Sequence, residues 1–254
     1  MDDRFIEICL NGADKELAAA IADGADVNTI GKFRMSPLTP LVAAILSDKE
    51  FVEKTALLLQ AGADPDFYEA EKTGSTRPIC AAAGRGKVPL VSMLLEAGVE
   101  INSGEERHHI PLIRACVTFP GDTKTEAVRR ELIQLFLDKG ADLAFNDSGT
   151  GCLVLAADDA EPETLELLLN AGIPVDARLY DGGMTALMTA AAFNSNPRTV
   201  ALLLERGADP GLRNWEDATA LDFARGKPGG AWPNGNETPA AGEIIRLLEA
   251  AQKQ

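Results

Sequence analysis

The side chains best suited to proton transfer or metal binding are two histidines, His108 and His109. They are adjacent. On an extended finger their rings point in opposite directions, so they do not chelate one ion together. A nucleophilic site would need one of them and a remote partner, and nothing in the sequence specifies one. The four cysteines, Cys9, Cys80, Cys116 and Cys152, lie far apart and form no C-x-x-C pair. They read as small buried thiols in a reducing compartment, which points to a cytoplasmic location. Asp158, Asp159, Glu161 and Glu163 lack the D-x-D-x-D-G order of a calcium loop and read as a solvated turn. Glycines are plentiful, but no G-x-x-x-x-G-K-[ST] loop exists, and Lys49, Lys54 and Lys72 are scattered. The expectation is therefore no catalytic residue, no metal site and no cofactor.

Bulk properties narrow the alternatives. The chain has 254 residues, 46% of them hydrophobic, 25% charged and 5% aromatic, which is the composition of a folded protein. No stretch approaches the roughly 20 apolar residues that span a bilayer, so no membrane association is expected. The opening Met1-Asp2-Asp3-Arg4-Phe5 lacks the basic segment and apolar core of a secretory signal. A net charge of −15 repels nucleic-acid phosphates and attracts a basic protein.

Two phrases alternate along the chain. One is a leucine run followed by Gly, a small residue and an acid, as in Leu57-Leu58-Leu59-Gln60-Ala61-Gly62-Ala63-Asp64. It recurs around Gly24, Gly98, Gly140, Gly172 and Gly207, at spacings between 32 and 42 residues. The other is Thr39-Pro40-Leu41-Val42-Ala43-Ala44, with later copies beginning at Pro78, Pro111, Leu153, Thr185 and Thr219. Proline in a first helical turn wastes no donor. Paired alanines allow close stacking, leucines fill the space between layers, and each glycine can take positive φ to end a second helix.

These phrases make the chain resemble the ankyrin-repeat family, whose unit of about 33 residues opens on T-P-L-H-x-A and closes near G-A-D. The histidine of that pattern is absent; Val42, Cys80, Ile113, Val154, Met188 and Asp222 stand in its place. Weaker loop-to-loop hydrogen bonding is expected as a result. The resemblance implies an all-α, curved solenoid of seven helix-turn-helix repeats with projecting β-turn fingers and a concave face. The repeats fall at 1–30, 34–66, 72–102, 105–142, 146–176, 180–211 and 214–254, as a single domain whose first and last repeats are caps. Pro- and Gly-rich insertions interrupt the fourth and seventh repeats, at residues 119–130 and 226–241.

Function is then expected on a surface. By phase, the finger of the fifth repeat is residues 146–150, that of the sixth 180–184 and that of the seventh 214–218. Fingers and first-helix ends together present Phe119, Tyr180, Phe193 and Trp215 among Asp147, Asp158, Asp159, Asp181, Glu216 and Asp217. Trp232 in the last insertion joins them. Aromatics supply binding hot spots, and surrounding acids steer a basic partner. The expected function is non-catalytic protein–protein interaction with a basic partner, as an inhibitor or immunity-type protein, by a chain that is monomeric when unbound. The alternative is a structural adaptor that links proteins without charge-dependent recognition.

Overall fold

A computed structural model describes residues 2–34, 36–68, 76–104, 110–118, 122, 124–144, 148–179, 183–226 and 239–253. Contacts divide the chain into two compact units. One comprises residues 1–115 and 119–140, the other 116–118 and 141–254.

In the N-terminal unit, short helices come in pairs. They are α1 (Asp2–Asn11) with α2 (Asp14–Ala22), α3 (Pro40–Leu46) with α4 (Phe51–Gln60), α5 (Pro78–Gly84) with α6 (Val88–Glu96), and α7 (Pro111–Cys116) followed by α8 (Glu126–Asp138). A hairpin of β1 (Gly31–Phe33) and β2 (Ser36–Leu38), with Lys32 opposite Pro37, projects before α3. The C-terminal unit pairs α9 (Ser148–Ala156) with α10 (Pro162–Asn170), α11 (Ala186–Phe193) with α12 (Pro197–Glu205), and α13 (Ala220–Ala224) with α14 (Pro239–Ala251).

No helix of this length is stable alone in water, so stacking must supply the stability. First helices pack α1 on α3 on α5, and α9 on α11 on α13. Second helices form a parallel layer, α2, α4, α6 and α8 in one unit and α10, α12 and α14 in the other. Ala43, Ala44, Ala82, Ala83, Ala190 and Ala191 are buried where first helices meet. The central leucine of each run, Leu58, Leu94, Leu168 and Leu203, is buried as well. Each contributes about 1.5–3 kcal/mol on leaving water.

Helix ends follow the two phrases. Thr39, Thr185 and Thr219 accept from the backbone N–H three residues on, at 3.2–3.3 Å. At the vacated histidine position, Asp222 accepts from the Thr219 N–H (3.0 Å) and hydroxyl (2.7 Å), completing a capping box. The six glycines that close second helices all have φ between +87° and +99°. The residue after Gly62 then bonds back from its N–H to the Leu58 carbonyl at 2.9 Å.

Adjacent turns remain linked despite the missing histidines. The Asn28 amide donates to the Gly62 carbonyl (3.1 Å), and its oxygen accepts from the Asp64 N–H (2.7 Å). Asn102 donates to Gly140, and Asp176 accepts from the Asp209 N–H.

Buried cations form a second set of ties. Lys54 is 1% exposed and donates to the Ser47 hydroxyl (2.9 Å) and the Leu10 carbonyl at the end of α1 (3.4 Å). It is a structural tie between α1 and α4. Lys87 donates to the carbonyls of Ile45 and Ser47 at 2.7 Å and lies 3.8 Å from the Phe51 ring centroid. The C-terminal end of a helix carries partial negative charge, which favours cations there. Burial, then the Arg85 charge, pulls the Lys87 pKa down to about 8. Arg77 is buried at the start of α5. It holds Asp66 through Nε (2.9 Å) and Nη2 (2.7 Å), and reaches the Glu100 and Ser103 carbonyls at 3.1 and 2.9 Å.

One finger boundary differs from expectation. Residues 148–150 are the first turn of α9 and not part of a finger. The other early repeats open on Pro40, Pro78 and Pro111, and proline pushes the residue before it out of helical geometry. Cys152 stands at that position here, so the helix runs back to Ser148. The Gly149 N–H bonds the Leu143 carbonyl (2.9 Å), a contact so close that an added Cβ would sit 3.0 Å from that oxygen.

Candidate partner-binding face

Of the expected face residues, Phe119, Asp147, Tyr180, Asp181 and Trp232 lie outside the described residues, as do His108 and His109. The others fall in two clusters of the C-terminal unit.

The first cluster is the turn after α9. Asp158 and Asp159 are exposed there, in a turn closed by the Ala160 N–H bonding the Ala156 carbonyl at 2.8 Å. Asn194, which ends α11, is buried and donates through Nδ2 to the Ala157 (3.1 Å) and Ala160 (3.0 Å) carbonyls. Those carbonyls flank the two aspartates, so Asn194 fixes their turn against the end of α11. Phe193, the last residue of α11, is half-buried beside it.

The second cluster is the finger of the seventh repeat. Asn214 organises it: its side-chain oxygen accepts from the Glu216 (3.1 Å) and Ala218 (2.9 Å) N–H groups, and its own N–H reaches the Ala218 carbonyl at 3.0 Å. This Asx-type turn places Asp217 at φ +61°, which aspartate tolerates better than most residues. Trp215 rides on the turn with 68% of its surface exposed, the one exposed large hydrophobic among the described residues. Its indole lies over Gly183 of the preceding finger, where an added Cβ would approach Nε1 to 2.8 Å. The ring is thus steadied on one side and open on the other.

Glu216 and Asp217 are both exposed, but two arginines, Arg178 and Arg213, lie at the base of the finger. Arg213 donates to the Asp217 carbonyl (2.6 Å) and pairs with its carboxylate at 3.3 Å, and Arg178 donates to the Arg213 carbonyl (2.5 Å). Sequence reading missed these arginines, because a pair formed across a turn is not visible as a charge run. It also missed Asn194 and Asn214, although an Asn two residues before an acid in a finger is a known turn signal. Among the described residues, no group of three His, Cys, Asp or Glu side chains is placed to hold a metal ion, and no helix is long and apolar enough to cross a membrane. All four cysteines are buried, and burial raises the pKa of Cys9 and Cys80 to about 12.

A family model of ankyrin repeats, in three copies, matches residues 124–214. The chain is an ankyrin-repeat protein. Its fold is the all-α ankyrin fold: it is similar to the human ASB11 ankyrin repeat domain with a TM-score of 0.68 and 21% identity, covering 97% of this chain and 96% of that one. In sequence it is similar to the ankyrin repeat and KH domain-containing protein mask-1 of Caenorhabditis elegans, 27% identical over 80% of this chain and 8% of that protein. It is also similar to an ankyrin repeat-containing protein of Treponema pallidum, 41% identical over 38% of this chain and 33% of that one. The chain therefore spans a third or less of the length of these two relatives. Ankyrin repeats mediate protein–protein interaction.

Proposed function

We propose that this ankyrin-repeat protein is a non-catalytic binding module that grips a basic protein partner through Trp215, Glu216, Phe193, Asp158 and Asp159. The observation that carries the reading is Trp215: a large aromatic held on a turn that Asn214 closes by hydrogen bonds, supported at Gly183, with most of its surface bare. Aromatic anchors that lose little conformational freedom on binding are the usual hot spots. Exposed acids beside it and a net charge of −15 favour a basic partner and reject acidic ones. A module of this charge suits an inhibitor or immunity-type protein that masks a positively charged surface, working in the cytoplasm and monomeric until bound.

A second reading is favoured by Arg178 and Arg213, which offset the acids around Trp215. In that case the face recognises shape and apolar surface, and the protein is an adaptor. Capture of the partner on immobilised protein at about 0.1 M and about 1 M salt separates the two, because the Debye length falls from about 10 Å to about 3 Å. Loss of the partner at high salt supports the basic-partner reading. Retention at both salts supports the adaptor.

A further inference from the structure

The two helices of the first repeat border a groove of about 540 Å³. Arg4, Phe5 and Ile8 of α1 line one side, and Glu16, Ala20 and Asp23 of α2 the other. Phe5 is buried at its base, while Ile8 and Ala20 are half-buried. None of its lining residues belongs to another repeat. Ile6, Cys9 and Leu17, which are fully buried, lie on other faces of the same helices.

Later repeats show what this face does inside a stack. Ala20 stands four residues before the closing Gly24, and Glu16 stands eight before it. In the second, third, fourth and sixth repeats the first place is Leu58, Leu94, Phe136 or Leu203, each with no exposed surface. The second place faces the repeat before: Lys54 donates to the Leu10 carbonyl (3.4 Å), and the Thr199 hydroxyl to the Ala160 carbonyl (3.5 Å). Deeper in the stack, then, a pair of helices covers this face. In the first repeat the large apolar side chain is replaced by Ala20, which leaves room for one supplied from outside. The charges at the rim lack partners as well. Arg4 on one side and Asp23 on the other make no side-chain hydrogen bond or ion pair among the described residues. Both walls are helices whose backbone groups are bonded internally, so an extended segment finds no edge to pair with.

We infer that this groove receives an amphipathic helix of a protein partner. The helix places a leucine-sized side chain over Ala20 and Phe5, an acid against Arg4 and a base against Asp23. Ala19 and Ala20 are small enough to let the helix axes approach to about 8–10 Å. The contact goes beyond the Trp215 reading: it packs helix on helix, lies in the other compact unit, and does not need that face.

The test uses the full chain and a dye-labelled, alanine-based helical peptide at constant ionic strength, followed by fluorescence anisotropy. The peptide carries two leucines four residues apart, glutamates along one flank and lysines along the other. Saturable binding is expected, and its loss when the leucines are changed to alanine. Ala20→Leu should fill the groove and weaken binding at least about tenfold. Leucine is a comparable helix former and stands at this place in later repeats, so the urea midpoint should not fall. Arg4→Glu should weaken binding about fivefold. A peptide with lysines on both flanks should recover that loss, a rescue that a folding defect does not produce. No saturable binding, unchanged affinity in Ala20→Leu, or no rescue by the lysine peptide would each overturn the inference. Sedimentation velocity supplies a further outcome: self-association of the chain alone, abolished by Ala20→Leu, would overturn it and assign the groove to a second copy.

Discussion

Arg77→Ala should destabilise the N-terminal unit more than any single surface change. The side chain is buried and donates to both Asp66 carboxylate oxygens and to the carbonyls of Glu100 and Ser103. Hydrogen bonds to charged groups contribute about 1.5–3 kcal/mol each, but they are not additive. Removing one partner of a buried ion pair costs about 3–5 kcal/mol. Asp66 keeps 30% of its side chain in water and can be rehydrated, which places the expected loss at the low end, about 3 kcal/mol. For a chain of this size that corresponds to a fall in Tm of about 6–12 °C. Arg77→Lys should recover little, because an ammonium cannot hold both Asp66 oxygens and two carbonyls in one plane. Arg77→Thr restores the cap seen at Thr39, Thr185 and Thr219 but no link to the next repeat, so it should recover about 1 kcal/mol. Urea unfolding followed by far-ultraviolet circular dichroism measures all three. A loss below about 1 kcal/mol for Arg77→Ala would refute the view that this arginine clamps successive repeats.

Further outcomes follow from the same contacts. Gly84→Ala gains about 1 kcal/mol of helix propensity but displaces the two-pronged Arg114–Asp122 ion pair that lies on the Gly84 backbone, so a net loss of about 2 kcal/mol is expected in a urea melt. Asn194→Ala leaves the Ala157 and Ala160 carbonyls without that donor and should cost about 2 kcal/mol; hydrogen exchange should show the Asp158–Asp159 turn opening first. Lys87 has a folded pKa of about 8, below the ordinary value of 10.5, so the unfolded chain binds the proton that the folded chain has released. Its contribution to stability is lost as pH falls through about 8 and grows as pH rises towards 10.5. Urea midpoints at pH values inside and below that window should show this rise in the parent protein and its absence in Lys87→Gln.

The repeat phrases made most of the fold legible. Proline, paired alanine, leucine runs and closing glycine each have a local physical role, and the helices begin and end where those residues stand. The start of α9 was hidden because its signal is a missing proline at Cys152, and an absence does not say how far a helix extends. The ties made by Lys54, Lys87 and Arg77 were hidden for another reason. A lone cation in a sequence reads as solvated surface; only packing shows Lys54 and Lys87 facing the carbonyl end of a neighbouring helix and Arg77 facing Asp66 and the carbonyls of the Glu100–Ser103 turn. In the candidate face, Trp215 stood out by rarity and phase, and it is an exposed side chain. Its neighbours Arg178 and Arg213 did not stand out, since they act through turn geometry that spacing alone does not encode.

The most direct test of the binding face is the affinity of the captured partner for the parent protein and for the Phe193→Ala, Trp215→Ala double variant, measured by calorimetry with helicity checked in parallel. Trp215 is largely exposed and Phe193 half-buried, so the helical signal should persist. Loss of two aromatic anchors at about 2 kcal/mol or more each should weaken binding at least about 30-fold even without additivity. An affinity within about threefold of the parent, a change below about 0.7 kcal/mol, would contradict the assignment of this face.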